Sequence, residues 1–233
     1  MIVTGKGGFI GGFLSKRLNT ENLLVHCATA KTYDEDLLLA KSAFNKASEH
    51  GLAVVFLSSI SVYGEVSETL VTEETVPVSQ SPYAMAKWEI EKLLQSYDLN
   101  SLTLRLPGVV GPGAHDIFLS RALASIKRGD RVRAYNPEGL FNNLVHLSDI
   151  AKIIEKWYIK QAVKKNCRST VNMGCKDPIT IREVISLMGG EGDFSDVGKQ
   201  SFLISIEKAI SLGFEPSSVA DTLRSYVLNL ELI

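Results

Sequence analysis

The first eighteen residues constrain this chain more than any other stretch. Ile2-Val3-Thr4 is a very short apolar run, Gly5-Lys6-Gly7-Gly8-Phe9-Ile10-Gly11 follows it, and Phe13 to Leu18 reads as helix. Strand, glycine turn and helix N-terminus in that order cradle a pyrophosphate, because the helix dipole and the free N–H groups of its first turn both favour an anion. Gly5 suits the tight turn, Gly8 lets backbone approach the phosphates, and Gly11 lets helix pack close to strand. The spacing is G-x-x-G-x-x-G, not G-x-G-x-x-G, and a glycine-rich turn without a ligand would read the same way. Further apolar runs at 53–57 and 101–106 read as strands.

The 233 residues suffice for one sizeable core, or a core plus a small lobe. A net charge of −1 leaves no basic footprint, which argues against nucleic acid or an anionic membrane as main partner. The three cysteines, Cys27, Cys167 and Cys175, form no Cys-x-x-Cys pair, as expected of free thiols in a reducing cytoplasm. No apolar run is long enough to span a bilayer, and Met1 to Leu14 lacks a basic flank. A cytoplasmic location is expected.

A second feature carries the chemistry. Ser81 is a good N-cap, Pro82 suits the first helical position, and Tyr83 and Lys87 then stand at i and i+4. That spacing puts a phenol and an ammonium on one helix face. A fixed cation beside a tyrosine favours the phenolate, so the Tyr83 pKa is expected to fall from its ordinary value towards neutrality. Such a group can pass a proton to or from a substrate hydroxyl. A lone Tyr-x-x-x-Lys is common by chance, so its company decides.

Thr4 to Gly11 resembles the signature of extended short-chain dehydrogenases/reductases, the NAD-dependent sugar epimerase/dehydratase family. Ser58-Ser59-Ile60-Ser61-Val62-Tyr63-Gly64 is similar to that family's Ser-Ser-x-x-Val-Tyr-Gly strand end, and Tyr83 and Lys87 match its Tyr-x-x-x-Lys. The resemblance implies an α/β fold, a Rossmann-like, doubly wound, mostly parallel sheet with a small C-terminal substrate lobe. Residues 1–107, with parts of 140–175 returning to them, would bind NAD or NADP, and 108–233 would mainly hold substrate.

One internal segment departs from the pattern. After the first helix, Leu23 to Thr29 already resembles the family's later Val-Ile-His-x-Ala-Ala strand, so the second strand, its helix and the third strand appear deleted. The sheet should be shortened at that edge and the adenosine pocket weaker or differently built. If Leu23–Cys27 were instead the second strand, Lys31 and Lys6 would hint at a 2′-phosphate and NADP. A direct crossover from the first strand must be right-handed, which would move the first helix to the other face; the residues themselves leave this open. Asp34 is expected to cap a helix running through His50, with Leu37, Ala40, Phe44 and Ala47 on one face.

Farther on, Val62 to Gln80 reads as a polar loop. Pro107-Gly108-Val109-Val110-Gly111-Pro112-Gly113 reads as a turn-rich segment and resembles the family's Arg-x-x-Asn-x-x-Gly-Pro loop, with Gly108 where Asn is usual; a purely structural turn is the alternative. Asn142 stands where the family often has an arginine for the substrate diphosphate, and Arg133 is a candidate substitute. His146 reads as a packed structural histidine, and His115-Asp116 lacks a third ligand, so no metal site is read. Ser148 is expected to cap a helix, Thr180 to Glu183 forms a capping box, and Gly189 to Gly198 reads as a loop.

By resemblance, Ser59, Tyr83 and Lys87 would be catalytic. Gly5, Gly8, Phe9, Ile10, Gly11, Cys27, Ala28, Ser58, Tyr83, Lys87, Pro107, Gly108 and Val109 would contact cofactor, and Ser59, Gly108 and Arg133 substrate. The implied substrate is a nucleotide-diphosphate sugar, and the implied reaction 4-ketoreduction or epimerisation. Ile60-Ser61 replaces the Asp-Glu pair of dehydratase members, which disfavours 4,6-elimination. The rival is a non-catalytic sensor on the same scaffold: the deletion favours it, and the intact Ser-Tyr-Lys set opposes it. The helices carrying Phe44 and Trp88 resemble the pair that dimerises relatives, so a homodimer is expected.

Overall fold

The structure, a computed structural model, describes residues 1–161, 167–195 and 202–231. Its centre is a sheet of five strands: β1 (Ile2–Thr4), β2 (Leu23–His26), β3 (Ala53–Ser59), β4 (Ser101–Leu106) and β5 (Arg168–Asn172). They pair in chain order from β1 to β5, and every pairing is parallel. The inner strands β2 and β3 are buried on both faces and near-continuously apolar, as parallel strands covered by helices are, whereas the edge strand β5 is mostly polar. Every strand points the same way, so the loops carrying the motif residues all leave one edge.

Five helices matter to the site: α1 (Phe9–Arg17), α2 (Tyr33–Glu49), α3 (Pro82–Gln95), α4 (Phe118–Lys127) and α5 (Leu147–Gln161). Leu14 of α1 and Ile150, Ile154 and Trp157 of α5 pack on one face of the sheet, against Val25, Val55 and Leu104. Phe44 of α2 and Ile90 and Leu94 of α3 pack on the other, against Leu24, Val54 and Phe56. The helix expected to change faces has therefore not done so. The β1–α1–β2 and β2–α2–β3 crossovers step in the same direction across the sheet but with helices on opposite faces, so their hands are opposite. Since nearly all such crossovers are right-handed, β1–α1–β2 is the left-handed exception. The missing segment explains it: α1 keeps the face that a full doubly wound half would give it, and the chain then steps directly to the other side of β1.

β2 lies between β1 and β3, which excludes its being a displaced second strand. The edge outside β1 is where the sheet is short. Helix α2 is capped by Thr32, whose hydroxyl accepts from Glu35 N at 3.3 Å, and not by Asp34. Asp34 and Glu35 instead place charge in the first turn, where the dipole favours it. Helix α3 starts as the sequence predicts, with Ser81 accepting from Ala84 N at 3.2 Å and Pro82 following.

A second apolar core, including Leu119 and Leu123 of α4, Val132, Leu144, Val184 and Tyr226, organises the C-terminal lobe. Several loops of the sequence reading hold short strands, because their pairing partners are remote. Gly108–Val110 is a strand parallel to Leu144–His146, and Leu70–Val71 pairs with Leu203–Ile204. Gly192–Ser195 pairs with Val132–Tyr135 inside the stretch read as a Gly189–Gly198 loop, of which residues 196–198 lie outside the described residues. Helix α5 begins at Leu147, and Ser148 binds His146 Nδ1 at 2.8 Å where a capping role had been expected. Among the described residues, no helix is long and apolar enough to cross a membrane.

Candidate active site

The tips of β1, β2 and β3 and the first two turns of α3 meet at one place. Thr4 ends β1 with its hydroxyl accepting from Cys27 N at 3.1 Å and Ala28 N at 3.2 Å, which ties the tip of β2 to the tip of β1. With those two donors bound, its own proton goes to His26 Nδ1, 2.9 Å away. Beyond Thr4, Gly5 turns with φ +70°, and a Cβ there would lie 2.9 Å from Ala28 N. A Cβ on Gly11 would meet Gly5 O at 2.3 Å, so the third glycine lets α1 close on the turn. Phe9 and Ile10 pack their side chains against the sheet. No side chain caps α1, and its first-turn N–H groups point out of the helix end. Around Gly7 a Cβ would meet nothing within 4 Å. An uncapped helix end over an open glycine turn fits a pyrophosphate.

Ser59, at the end of β3, and Tyr83, in the first turn of α3, lie close enough for the serine hydroxyl to act on the phenol. Ser59 Oγ accepts from Ser61 N at 3.1 Å and Ser61 Oγ at 2.8 Å, which leaves its own proton for a further acceptor. Tyr83 is 48% exposed, while Lys87, one turn deeper, is only 2% exposed with Nζ 5.5 Å from the Tyr83 ring centre. The phenol thus sits at the mouth and the ammonium beneath it. Ser59, Tyr83 and Lys87 are brought together at the C-terminal edge of the sheet, where ligands of open α/β sheets bind.

The electrostatics correct the sequence reading. Lys87 Nζ donates to Thr29 Oγ1 at 3.1 Å and to Asp36 Oδ2 at 3.3 Å, and Asp36, only 2% exposed, also accepts from Ala30 N at 3.0 Å. The cation therefore has a counterion. Burial pushes the Tyr83 pKa above its ordinary value; the nearby Ser59 hydroxyl pulls it down and the Asp36 charge pushes it up again. Burial pushes Lys87 below its ordinary value, with Asp36 opposing. The expected acidic phenol is not what the bare protein holds, because burial outweighs the pull of Ser59 and the Asp36 charge adds to it. Asp36 was missed: its partner is 51 residues away, and it lies within a run of three acids that otherwise suits a helix start.

The remaining candidates divide. Cys27 and Ala28 line the turn, with burial pushing the Cys27 thiol up to about 12, so it stays protonated. Pro107 is buried, Gly108 half-buried beside Asn143 O, and Val109 has its side chain in the core. Ser58 turns inward and donates to Glu91 at 2.5 Å, so its side chain is not offered to a ligand. Asn142 is committed too, since its amide donates to Ile204 O at 2.8 Å and accepts from Ile204 N at 3.0 Å. Arg133 is exposed and lines a cavity of about 550 Å³ with Phe118, Arg121, Arg128 and Arg131; Ser59, Tyr83 and Lys87 do not line it. His146 Nδ1 faces Ser148, and burial lowers its pKa.

Residues 28–174 match the model of the NAD dependent epimerase/dehydratase family. No curated protein matches the chain. Among solved structures, RMD from Pseudomonas aeruginosa, complexed with NADPH, superposes with a TM-score of 0.76 at 20% identity, covering 99% of this chain and 98% of that one. A UDP-glucose 4-epimerase from Thermotoga maritima, with UDP-glucose, gives 0.76 at 19% identity over 99% and 98%. A UDP-glucuronic acid 4-epimerase from Bacillus cereus, in complex with NAD, gives 0.75 at 19% identity over 94% and 77%. At these identities the likeness is one of fold.

Proposed function

The chain belongs to the NAD dependent epimerase/dehydratase family, and on that premise we propose that it is a nicotinamide-dependent enzyme acting on a nucleotide-diphosphate sugar, as a 4-ketoreductase or an epimerase. In this reading residues 1–107 form the cofactor core and 108–233 mainly the substrate lobe. The observation that carries it is the Lys87 ammonium held 5.5 Å from the Tyr83 ring centre, with the Ser59 hydroxyl acting on the same phenol.

When bound, the nicotinamide supplies the site for hydride gain or loss. The chain's own residues do the rest. Ser59, with its two acceptor positions filled, can direct its proton to the reacting sugar oxygen as readily as to Tyr83. Tyr83, kept protonated by burial, is placed to donate to an oxygen that gains charge when a ketone is reduced. A reductase exchanges its cofactor at each turnover and tolerates a weak adenosine pocket, which supports reduction over epimerisation. Lys87 uses two of its three donors on Thr29 and Asp36 and keeps one for a ribose hydroxyl. Thr4 to Gly11 would hold the pyrophosphate. A homodimer through α2 and α3 is part of the proposal: Leu38 is 66% exposed there, beside a cavity of about 480 Å³ lined by Leu37 and Leu93, and a dimeric mass by light scattering is expected.

One observation favours a second reading, a non-catalytic binding protein: Asp36 already occupies Lys87. Titrating NADH and NADPH by dihydronicotinamide fluorescence separates the two. Binding of either in the micromolar range supports the enzyme, and none up to millimolar supports the rival.

A further inference from the structure

We propose that this chain reads only the nicotinamide end of its dinucleotide and leaves the adenosine end unread, so that it takes NADH and NADPH about equally. The inference rests on the function proposed above and concerns what the shortened sheet does to it. In a doubly wound sheet the adenosine ribose is recognised at the tip of the strand on the far side of β1, by an acid about 20 residues after the glycine turn, or by a nearby arginine for a 2′-phosphate. Here, among the described residues, no strand pairs with the outer edge of β1. The residues at that distance along the chain are Cys27 to Lys31, and they follow β2, which lies on the inner side, between β1 and β3.

The acids that come next are not placed to take over. Asp36 is buried and bonded to Lys87 and Ala30 N. Asp34 and Glu35 open α2, whose core residues pack on the opposite face of the sheet from α1. What remains is the half that needs no second strand: the glycine turn, the uncapped start of α1, and the free donor of Lys87. Lys6 and Lys31 are exposed and salt-screened, so the pull of each on a 2′-phosphate is worth at most about fivefold and commonly less than twofold. A site with buried polar groups built to read a hydroxyl discriminates by about 10⁴-fold or more; without such groups the preference collapses.

The test is a fluorescence titration of the purified full chain with three ligands that share both phosphates and the dihydronicotinamide: NADH, NADPH and reduced nicotinamide hypoxanthine dinucleotide. The expected result is three dissociation constants within tenfold of one another. A preference of more than tenfold for NADH over NADPH, or the reverse, means that a side chain reads the ribose and overturns the inference while leaving the proposed function standing. A loss of more than tenfold with the hypoxanthine dinucleotide does the same for the base. If none of the three binds up to millimolar concentration, the inference and the proposed function fall together.

Discussion

Helix α3 carries two buried ion pairs one turn apart, and they are built differently. Glu91 accepts from Arg105 Nε at 3.1 Å and Nη2 at 2.8 Å and also from Ser58 Oγ, while Arg105 Nη1 donates to Tyr63 Oη at 2.8 Å and Glu73 O at 3.3 Å. Tyr63 in turn donates to Asn172 Oδ1 at 2.7 Å, at the tip of β5. That network is close to saturated. Lys87–Asp36, by contrast, is a single 3.3 Å contact beside a half-exposed phenol, with an ammonium donor to spare. A buried pair whose carboxylate and guanidinium are each held by several hydrogen bonds fixes the fold. One with a donor left over keeps something for a ligand.

Breaking the saturated pair should have the largest effect on stability. Glu91→Met leaves the Arg105 guanidinium buried without its carboxylate and should cost about 3–5 kcal/mol in urea unfolding. A loss below about 1 kcal/mol would show that Arg105 finds water or another partner, and the contrast would fail.

His26, next to the looser pair, gives a pH-dependent version of the same contrast. It packs between Phe44 and Phe56, and burial, aided by the Lys87 charge, lowers its pKa from 6.5 to about 4. The unfolded chain therefore takes up this proton first. Its contribution is complete above pH 6.5 and is lost as pH falls towards 4. Between about pH 7.5 and pH 5 the loss should be about 2 kcal/mol. His26→Gln should lack that component, and an unchanged pH dependence in the variant would refute the assignment.

The smallest stability effect is expected at the open pair. Asp36→Asn keeps only one of the two oxygens that accept from Ala30 N and Lys87 and turns the other into a donor; because Lys87 retains Thr29, the cost should be about 1–2 kcal/mol. Its main consequence is on titration: removing the carboxylate charge lowers the pKa of Tyr83 and of Lys87, so the pH profile of kcat/KM should move to lower pH. A profile that stays in place would mean that Asp36 acts only as packing.

What was legible in the sequence was what local spacing encodes. The glycine turn, the Ser81 cap with Pro82, and the one-turn offset between Tyr83 and Lys87 are all set within a few residues. So was the deletion, because motif order shows it directly. The parts that were not legible depend on remote partners. Asp36 meets Lys87 from a helix 51 residues earlier in the chain, so spacing could supply the cation but not its counterion, and it could not supply the burial that sets the direction of the Tyr83 shift. Strands of two to four residues, such as Leu70–Val71 and Gly192–Ser195, carry too little pattern to stand out from loops. The left-handed β1–α1–β2 crossover runs against a rule that holds almost everywhere.

The account stands most directly on Tyr83 as the group that moves the proton. The measurement is NADH or NADPH oxidation with a nucleotide-diphosphate 4-keto sugar, for the wild-type chain and for Tyr83→Phe, with cofactor affinity measured in parallel. The predicted result is a fall in turnover of about 10²–10⁴-fold with the cofactor dissociation constant essentially unchanged. Equal turnover in the two proteins would contradict it.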